Sequence, residues 1–129
     1  MIGSLDFIYA PSSDVAADVR YATDVLGAEL VFAIDSSGTR VAMVRLGAGA
    51  PPLLLTDHLP DDRPVFIYRV ENLEATSKRL ADRGWKPERT VELPPGPCTT
   101  FRAPGGHRLA IYEPTRPDVV TSMAGQRDF

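Results

Sequence analysis

An α+β fold built from two successive βαβββ modules is what this sequence predicts, and three observations predict it. Short runs of alternating or continuous apolar residues mark strands. Two stretches carry the spacing of amphipathic helices. The order of these signals in the first half then returns in the second. Asp14 aligns with Asn72, Leu26-Gly27 with Arg83-Gly84, and Leu53-Leu54-Leu55 with Leu109-Ala110-Ile111, at offsets of 58, 57 and 56 residues. Offsets this nearly constant need no more than one-residue insertions or deletions between the halves. Two such modules, each with a curved antiparallel or mixed sheet, would together form a concave cleft that neither closes alone.

The elements come in order. Leu5 to Ala10 is apolar and β-favouring, a strand that stops at Pro11. Ser12-Ser13-Asp14 supplies side chains able to cap a helix N-terminus. Val15, Val19, Ala22 and Leu26 form one helical stripe, and Gly27 stands where a helix ends in a left-handed residue. Glu29 to Ile34 reads as a strand, Asp35-Ser36-Ser37-Gly38 as a turn, and Thr39 to Leu46 as the next strand. Gly47 to Pro52 is a loop, and Leu53 to Asp57 completes an antiparallel meander.

A polar, proline-bracketed linker, Leu59 to Pro64, separates the halves. Val65 to Val70 is then a strand, Asn72 a cap, and Leu73, Thr76 and Leu80 the second helical stripe, closed by Gly84. Trp85 to Leu93 is expected as a strand, Pro94 to Pro97 as a loop, and Cys98 to Arg102 as a strand. Ala103 to Gly106 turns into Arg108 to Tyr112, where Leu109 and Ile111 face one side and Ala110 and Tyr112 the other. Module boundaries are thus about 5–58 and 65–114. The polar tail, 115–129, has Val119, Val120, Met123 and Phe129 as apolar anchors. It is expected to pack over a subunit or cleft, or to fray at its end.

Composition narrows the function classes. With 129 residues, 43% hydrophobic and 24% charged, the chain can bury a core without disulfide or metal support. A formal net charge of −3 argues against nucleic acid or an anionic membrane as main partner. One cysteine, Cys98, permits no intramolecular disulfide, and no apolar run could span a bilayer. A cytoplasmic location is expected. With two histidines, both in or near turns, and a lone cysteine beside Pro97, nucleophilic catalysis finds little support.

Three stretches carry a resemblance. Ser13-Asp14 precedes a helix ending Asp24-Val25-Leu26-Gly27-Ala28-Glu29-Leu30. Val70-Glu71-Asn72-Leu73-Glu74-Ala75 is followed by Leu80 and Arg83-Gly84. Phe101-Arg102-Ala103-Pro104-Gly105-Gly106-His107-Arg108-Leu109 forms the third. In this order they resemble the vicinal oxygen chelate superfamily, which includes glyoxalase I, bleomycin resistance proteins and extradiol dioxygenases. The likeness covers about Leu5 to Pro114. Metal enzymes of that family place His and Glu ligands at positions that correspond here to Phe7, Leu54, Val65 (or Phe66, one residue on) and Ala110. None of these can ligate a divalent ion. The resemblance therefore points to the metal-free branch, whose best-known members sequester antibiotics in a dimer cleft.

If those positions face inward, alternation places Tyr9, Thr56, Ile67, Arg69 and Tyr112 on the same face. The expected ligand-binding set is then Phe7, Tyr9, Leu54, Thr56, Ile67, Arg69, Ala110 and Tyr112, an apolar and aromatic lining with a few polar groups. Its rival is plain filling of the half-barrel by these side chains. A shifted metal site from Asp57, His58 and Glu113 is the lesser alternative, because strand parity points Asp57 and Glu113 away from Leu54 and Ala110. The expectation is a homodimeric binding protein with no cofactor, whose ligand is a small aromatic or amphipathic compound such as an antibiotic. The alternatives are a metal-dependent lyase or dioxygenase of the same superfamily, and a metal-free isomerase-like enzyme using Tyr9, Tyr112 and Arg69.

Overall fold

The computed structural model describes residues 1–58 and 63–129, so most of the expected linker, at 59–62, lies outside the described residues. The chain divides into two compact units. One comprises Phe7–Pro64 with Met123–Phe129; the other comprises Met1–Asp6 with Val65–Ser122.

In the first unit, strand β1 (Leu5–Pro11, from Phe7 onward) leads to helix α1 (Val15–Arg20) and then to β2 (Glu29–Ser36), β3 (Thr39–Arg45) and β4 (Leu53–Thr56). Asp14 caps α1, its carboxylate accepting the Ala17 N–H at 3.0 Å. The strand order is β2-β3-β4-β1. The β2–β3 and β3–β4 pairs are antiparallel, and β1 lies parallel to β4 with Tyr9 beside Leu54. The β2–β3 hairpin closes through Ser37 (φ 55°) and Gly38 (φ 82°), the two left-handed residues that a two-residue turn of matching twist requires. Val15, Val19 and Ala22 of the helical segment pack on Ala33, Ala42, Val44 and Leu55.

The expected stripe fails at its last position. Residues Tyr21–Val25 form a π-turn, with the Leu26 N–H bonded to the Tyr21 carbonyl at 3.2 Å. Closing on the fifth residue back inserts one residue into the turn and rotates the next side chains off the helix face. Leu26 consequently stands 50% exposed, beside exposed Tyr21 and Val25.

The tail end is docked. Val31 is the extra residue of a bulge in β2, and its carbonyl accepts the Gly125 N–H at 2.8 Å and Arg127 Nη1 at 3.1 Å. Ala33 N–H donates to Gln126, Asp128 N–H to Ala33, and Asp35 N–H to the Asp128 carboxylate. Phe129 packs against the helix-side core with the Arg40 guanidinium 4.7 Å above its ring. These contacts cover an edge strand that would otherwise offer free backbone groups. Deleting residues 125–129 should cost about 2 kcal/mol, the net value of a few hydrogen bonds. Hydrogen exchange should quicken at Ala33 and Asp35; unchanged protection there would contradict the docking.

The second unit repeats the plan: β5 (Val65–Arg69), α2 (Leu73–Ala81), β6 (Arg89–Leu93), β7 (Gly96–Arg102) and β8 (Arg108–Tyr112), then α3 (Val119–Met123, to Ser122 in this unit). The order β5-β8-β7-β6 mirrors the first unit, with β5 parallel to β8 and Ile67 beside Ala110. Asn72 caps α2 through the Ala75 N–H at 2.8 Å, and Gly84 closes it at φ 93°. Val70, Leu73 and Ile111 form the helix-side core, with Tyr68, Leu80, Trp85 and Phe101 against it. Trp85 meets Phe101 edge-on at 5.5 Å, so both aromatics belong to the helix–sheet core.

Two expected boundaries move. Trp85–Glu88 is not strand; β6 begins at Arg89. The expected Pro94–Pro97 loop shrinks to a two-residue turn, Pro94-Pro95, because Gly96 and Pro97 already belong to β7 and pair with Leu93 and Glu92. A Pro-Pro turn has no N–H to donate, so its carbonyls need outside donors. Arg116 supplies them, bonding the carbonyls of Leu93, Pro94 and Pro95 and the Glu92 carboxylate. The first part of the tail thus clamps the hairpin.

Candidate ligand-binding site

In both units the helix packs on one sheet face, and the residues of interest lie on the other. Leu53 and Leu55 belong to the α1 core, which places Leu54 and Thr56 on the helix-free face by alternation. Ile111 and Tyr68 belong to the α2 core, which does the same for Ile67, Ala110 and Tyr112. Of the positions that the resemblance assigns to metal ligands, Leu54, Val65 and Ala110 are buried, Ala110 at 0% exposure, while Phe7 and Phe66 are half-buried. All five offer only carbon.

The eight expected lining residues fall into two groups. Tyr9, Leu54, Thr56, Ile67, Ala110 and Tyr112 are buried and Phe7 is half-buried. Arg69 alone is exposed, with 49% of its side chain open. In register, Tyr9 stands beside Leu54 in one unit, and Ile67 beside Ala110 and Arg69 beside Tyr112 in the other.

Asp57, His58 and Glu113 are each engaged elsewhere. The Asp57 carboxylate accepts the Arg40 N–H at 3.1 Å. His58 Nδ1 shares a short hydrogen bond with Thr56 Oγ1. Glu113 Oε1 accepts the Leu73 N–H at 2.8 Å, at the N-terminus of α2, where a carboxylate meets free amides and the positive end of the helix dipole. Among the described residues no three His, Cys, Asp or Glu side chains converge on a common point.

The structure adds a polar cluster in the second unit. Tyr112 donates its phenol proton to Asp6 Oδ2 at 2.5 Å, Ser4 donates to Asp6 Oδ1, and Arg69 Nε stands 3.8 Å from Oδ2. Burial and then the Asp6 hydrogen bond and charge push the Tyr112 phenol well above its ordinary pKa, against a smaller opposing effect of Arg69. Tyr112 is therefore a proton donor across the physiological range and not a base. Sequence reasoning misses Asp6 and Ser4. The available signal is a lone acid inside the apolar run Leu5–Ala10.

Beside this cluster the second unit has an open groove of about 530 Å³. Arg69 and Arg79 bring positive charge to it, Asn72 and Thr76 polar side chains, and Met1 and Ile2 apolar surface. Such a volume lies in the range of small-molecule sites, and the mixture suits an amphipathic ligand.

Cys98 is buried on β7, and burial pushes its thiol from 9.0 up to about 12. An acid with a raised folded pKa keeps its proton in the native state. Its contribution to stability is thus whole below the unfolded value and lost as pH rises from about 9 toward 12. Tyr112 adds a loss of the same sign above about 10. The melting temperature should fall in this alkaline window, less steeply in Cys98→Ala. The native thiol should resist Ellman's reagent; rapid native labelling would contradict its burial.

No protein-family model matches the chain, and no curated protein sequence matches it. Solved structures do. A hypothetical protein from Bacillus halodurans C-125 superposes with TM-score 0.72 at 13% identity, over 85% of this chain and 93% of that one. Methylmalonyl-CoA epimerase from Mycobacterium tuberculosis gives 0.63 at 22% identity, over 88% and 89%. The Streptomyces coelicolor methylmalonyl-CoA epimerase, solved in complex with 2-nitronate-propionyl-CoA, gives 0.69 at 15% identity, over 90% and 97%. The epimerases have the vicinal oxygen chelate fold, and at these similarities the fold is what this chain shares with them.

Proposed function

We propose that this chain is a metal-independent binding protein of the vicinal oxygen chelate superfamily, taking a small aromatic or amphipathic organic compound. One observation carries the reading: the positions at which the family's metal enzymes hold their ion are Phe7, Leu54, Val65 and Ala110, which have no donor atom to offer. The compound is held in the groove beside α2, where Arg69 and Arg79 orient its polar end and Met1 and Ile2 meet its apolar part. Arg69 is the member of the expected lining that reaches this groove. The buried members shape the sheet beneath.

A panel of polycyclic antibiotics, aromatic compounds and acyl-CoA thioesters, read by thermal shift, tests this. The thioesters enter because epimerases of the same fold are solved with CoA thioesters. A ligand at one hundred times its dissociation constant adds about 2.7 kcal/mol of stability. That shift should survive EDTA and shrink in Arg79→Glu. If no compound class moves the melting temperature, the reading loses its support.

A second reading, a metal-free isomerase-like enzyme, is favoured by the Tyr112–Asp6 pair beside Arg69. Arg69 can stabilise a developing oxyanion, and the Tyr112 proton serves it only once released from Asp6. This reading requires a turnover that Tyr112→Phe abolishes while leaving ligand affinity intact.

A further inference from the structure

The π-turn of the first unit leaves Tyr21, Val25 and Leu26 57%, 66% and 50% exposed. Because the Leu26 N–H reaches the Tyr21 carbonyl, the three side chains belong to one turn and form one patch. Hydrogen bonds hold that turn in place. Thr23 Oγ1 donates to the Val19 carbonyl at 3.0 Å, and the Ala28 N–H to the Ala22 carbonyl at 2.8 Å. Ala22, in the same turn, is buried in the helix–sheet core, so the patch faces solvent. A plain α-helical continuation of the Val15, Val19 and Ala22 stripe would carry Leu26 inward; the π-turn instead presents it beside an aromatic ring. Such turns concentrate at functional positions, and adjoining apolar side chains on a surface mark a contact with another molecule.

Charge identifies the occupant. Arg20 and Asp24 flank the patch, and both are exposed. Four residues apart, they stand at the two ends of one turn. They do not pair with each other, and neither has an ion-pair partner among the described residues. The Asp24 carboxylate accepts the hydroxyl of its neighbour Thr23 at 3.3 Å. One unpaired charge of each sign beside one apolar group is self-complementary. When two copies bring their turns together about a twofold axis perpendicular to the helix, the turns run antiparallel. Each Arg20 then meets the partner's Asp24, and the apolar side chains close on their own counterparts. An aromatic and aliphatic centre with a charged rim is the anatomy of a protein–protein contact. An anionic membrane fits less well, because Asp24 offsets Arg20 and the chain carries a net charge of −3.

We infer that the π-turn is a self-association surface, on which two copies of this chain pair through Tyr21, Val25 and Leu26 with reciprocal Arg20–Asp24 contacts. Three apolar side chains from each copy make a small core, so the pairing is weak, with a dissociation constant on the order of 10 μM. The inference uses no ligand and no residue of the groove beside α2, so it stands or falls apart from the binding function proposed above.

Sedimentation equilibrium of the full chain from about 1 to about 500 μM, a range in which contacts this small form and come apart, tests the assignment. Wild type should pass from monomer to dimer across it. Leu26→Asp should stay monomeric throughout. At a concentration where wild type is monomeric the two should melt alike, because an exposed side chain carries little of the fold. Arg20→Asp and Asp24→Arg should each weaken the dimer about tenfold or more, since each sets like charges together in both reciprocal contacts. Arg20→Asp combined with Asp24→Arg should return the dimer to within about threefold of wild type, the coupling expected of residues that face each other. Three results overturn the inference: a wild type that stays monomeric at the highest concentration, an assembly that Leu26→Asp leaves unchanged, or a double variant no tighter than the single ones. Adsorption to vesicles of anionic lipid in place of self-association would overturn it in favour of a membrane surface. Should Leu26→Asp fail to fold, the charge series still decides.

Discussion

Replacing Gly96 by alanine should destabilise the protein by about 4 kcal/mol or more, in the range reserved for severe steric and backbone disruption. A Cβ at Gly96 would stand 1.8 Å from the Glu113 carbonyl oxygen and 3.0 Å from both the Glu113 carbonyl carbon and the Thr115 nitrogen. All three are backbone atoms, so no side chain can swing aside. The backbone at Gly96 is also at φ +157°, a conformation that favours glycine. The consequences spread, because Glu113 joins several elements. Its N–H bonds the Pro97 carbonyl at 3.1 Å, and its carboxylate holds the first amide of α2. Pushing the two strands apart would break both. Gly47→Ala, where an added Cβ meets nothing within 4 Å, is the control and should stay within about 0.5 kcal/mol of wild type. Urea unfolding of the two variants measures the contrast. A Gly96→Ala protein as stable as Gly47→Ala would show that β7 and β8 do not approach this closely.

The second large effect is expected at Ala110, which the sequence resemblance sets at a metal-ligand position. Ala110 is fully buried between Ile67 and Thr100 in the sheet. Ala110→Glu would bury a carboxylate at a position now filled by a methyl group, at a cost of about 3 kcal/mol or more. Neither zinc nor manganese should restore the loss, since Leu54, Val65 and Phe7 bring no further donors. An Ala110→Glu protein that melts like wild type, or that zinc rescues, would mean that this face is open and that a metal can be assembled on it.

Much of this fold is legible in the sequence because it is written twice. Asp14 and Asn72 cap their helices and Gly27 and Gly84 end them, all by local chemistry that needs no tertiary contact. The parity of Leu53 to Leu55 and of Leu109 to Ile111 also holds, since alternation along a strand is set by the backbone. The illegible parts depend on partners far away in the chain or on a slip too small to see. The π-turn at Tyr21–Val25 adds a single residue to a helix too short for its period to reveal it, so the stripe points Leu26 inward where the structure turns it out. The Pro94-Pro95 turn passes for a loop until Arg116, more than twenty residues on, is seen to satisfy its carbonyls. The tail reads as loosely held because its acceptors lie on β2, almost a hundred residues earlier.

The same distinction governs the candidate site. That Phe7, Leu54, Val65 and Ala110 hold no metal donor is a matter of residue type and needs no coordinates. That Asp6 meets Tyr112, 106 residues away, is a matter of tertiary placement alone. Burial behaves likewise. Alternation lists Tyr9, Thr56 and Ile67 on one face but does not say whether that face is open or filled. Arg108 reads as an ordinary charged residue at a turn until its depth and its missing partners are known.

The central claim is that this fold works here without a metal ion. Its most direct test is elemental analysis of the full chain after expression in medium supplemented with zinc, manganese, iron and nickel, followed by exhaustive dialysis. The expected content of each metal is far below one equivalent per chain, with an unchanged melting temperature after EDTA. One equivalent of any of the four, lost to EDTA together with stability, would contradict the claim.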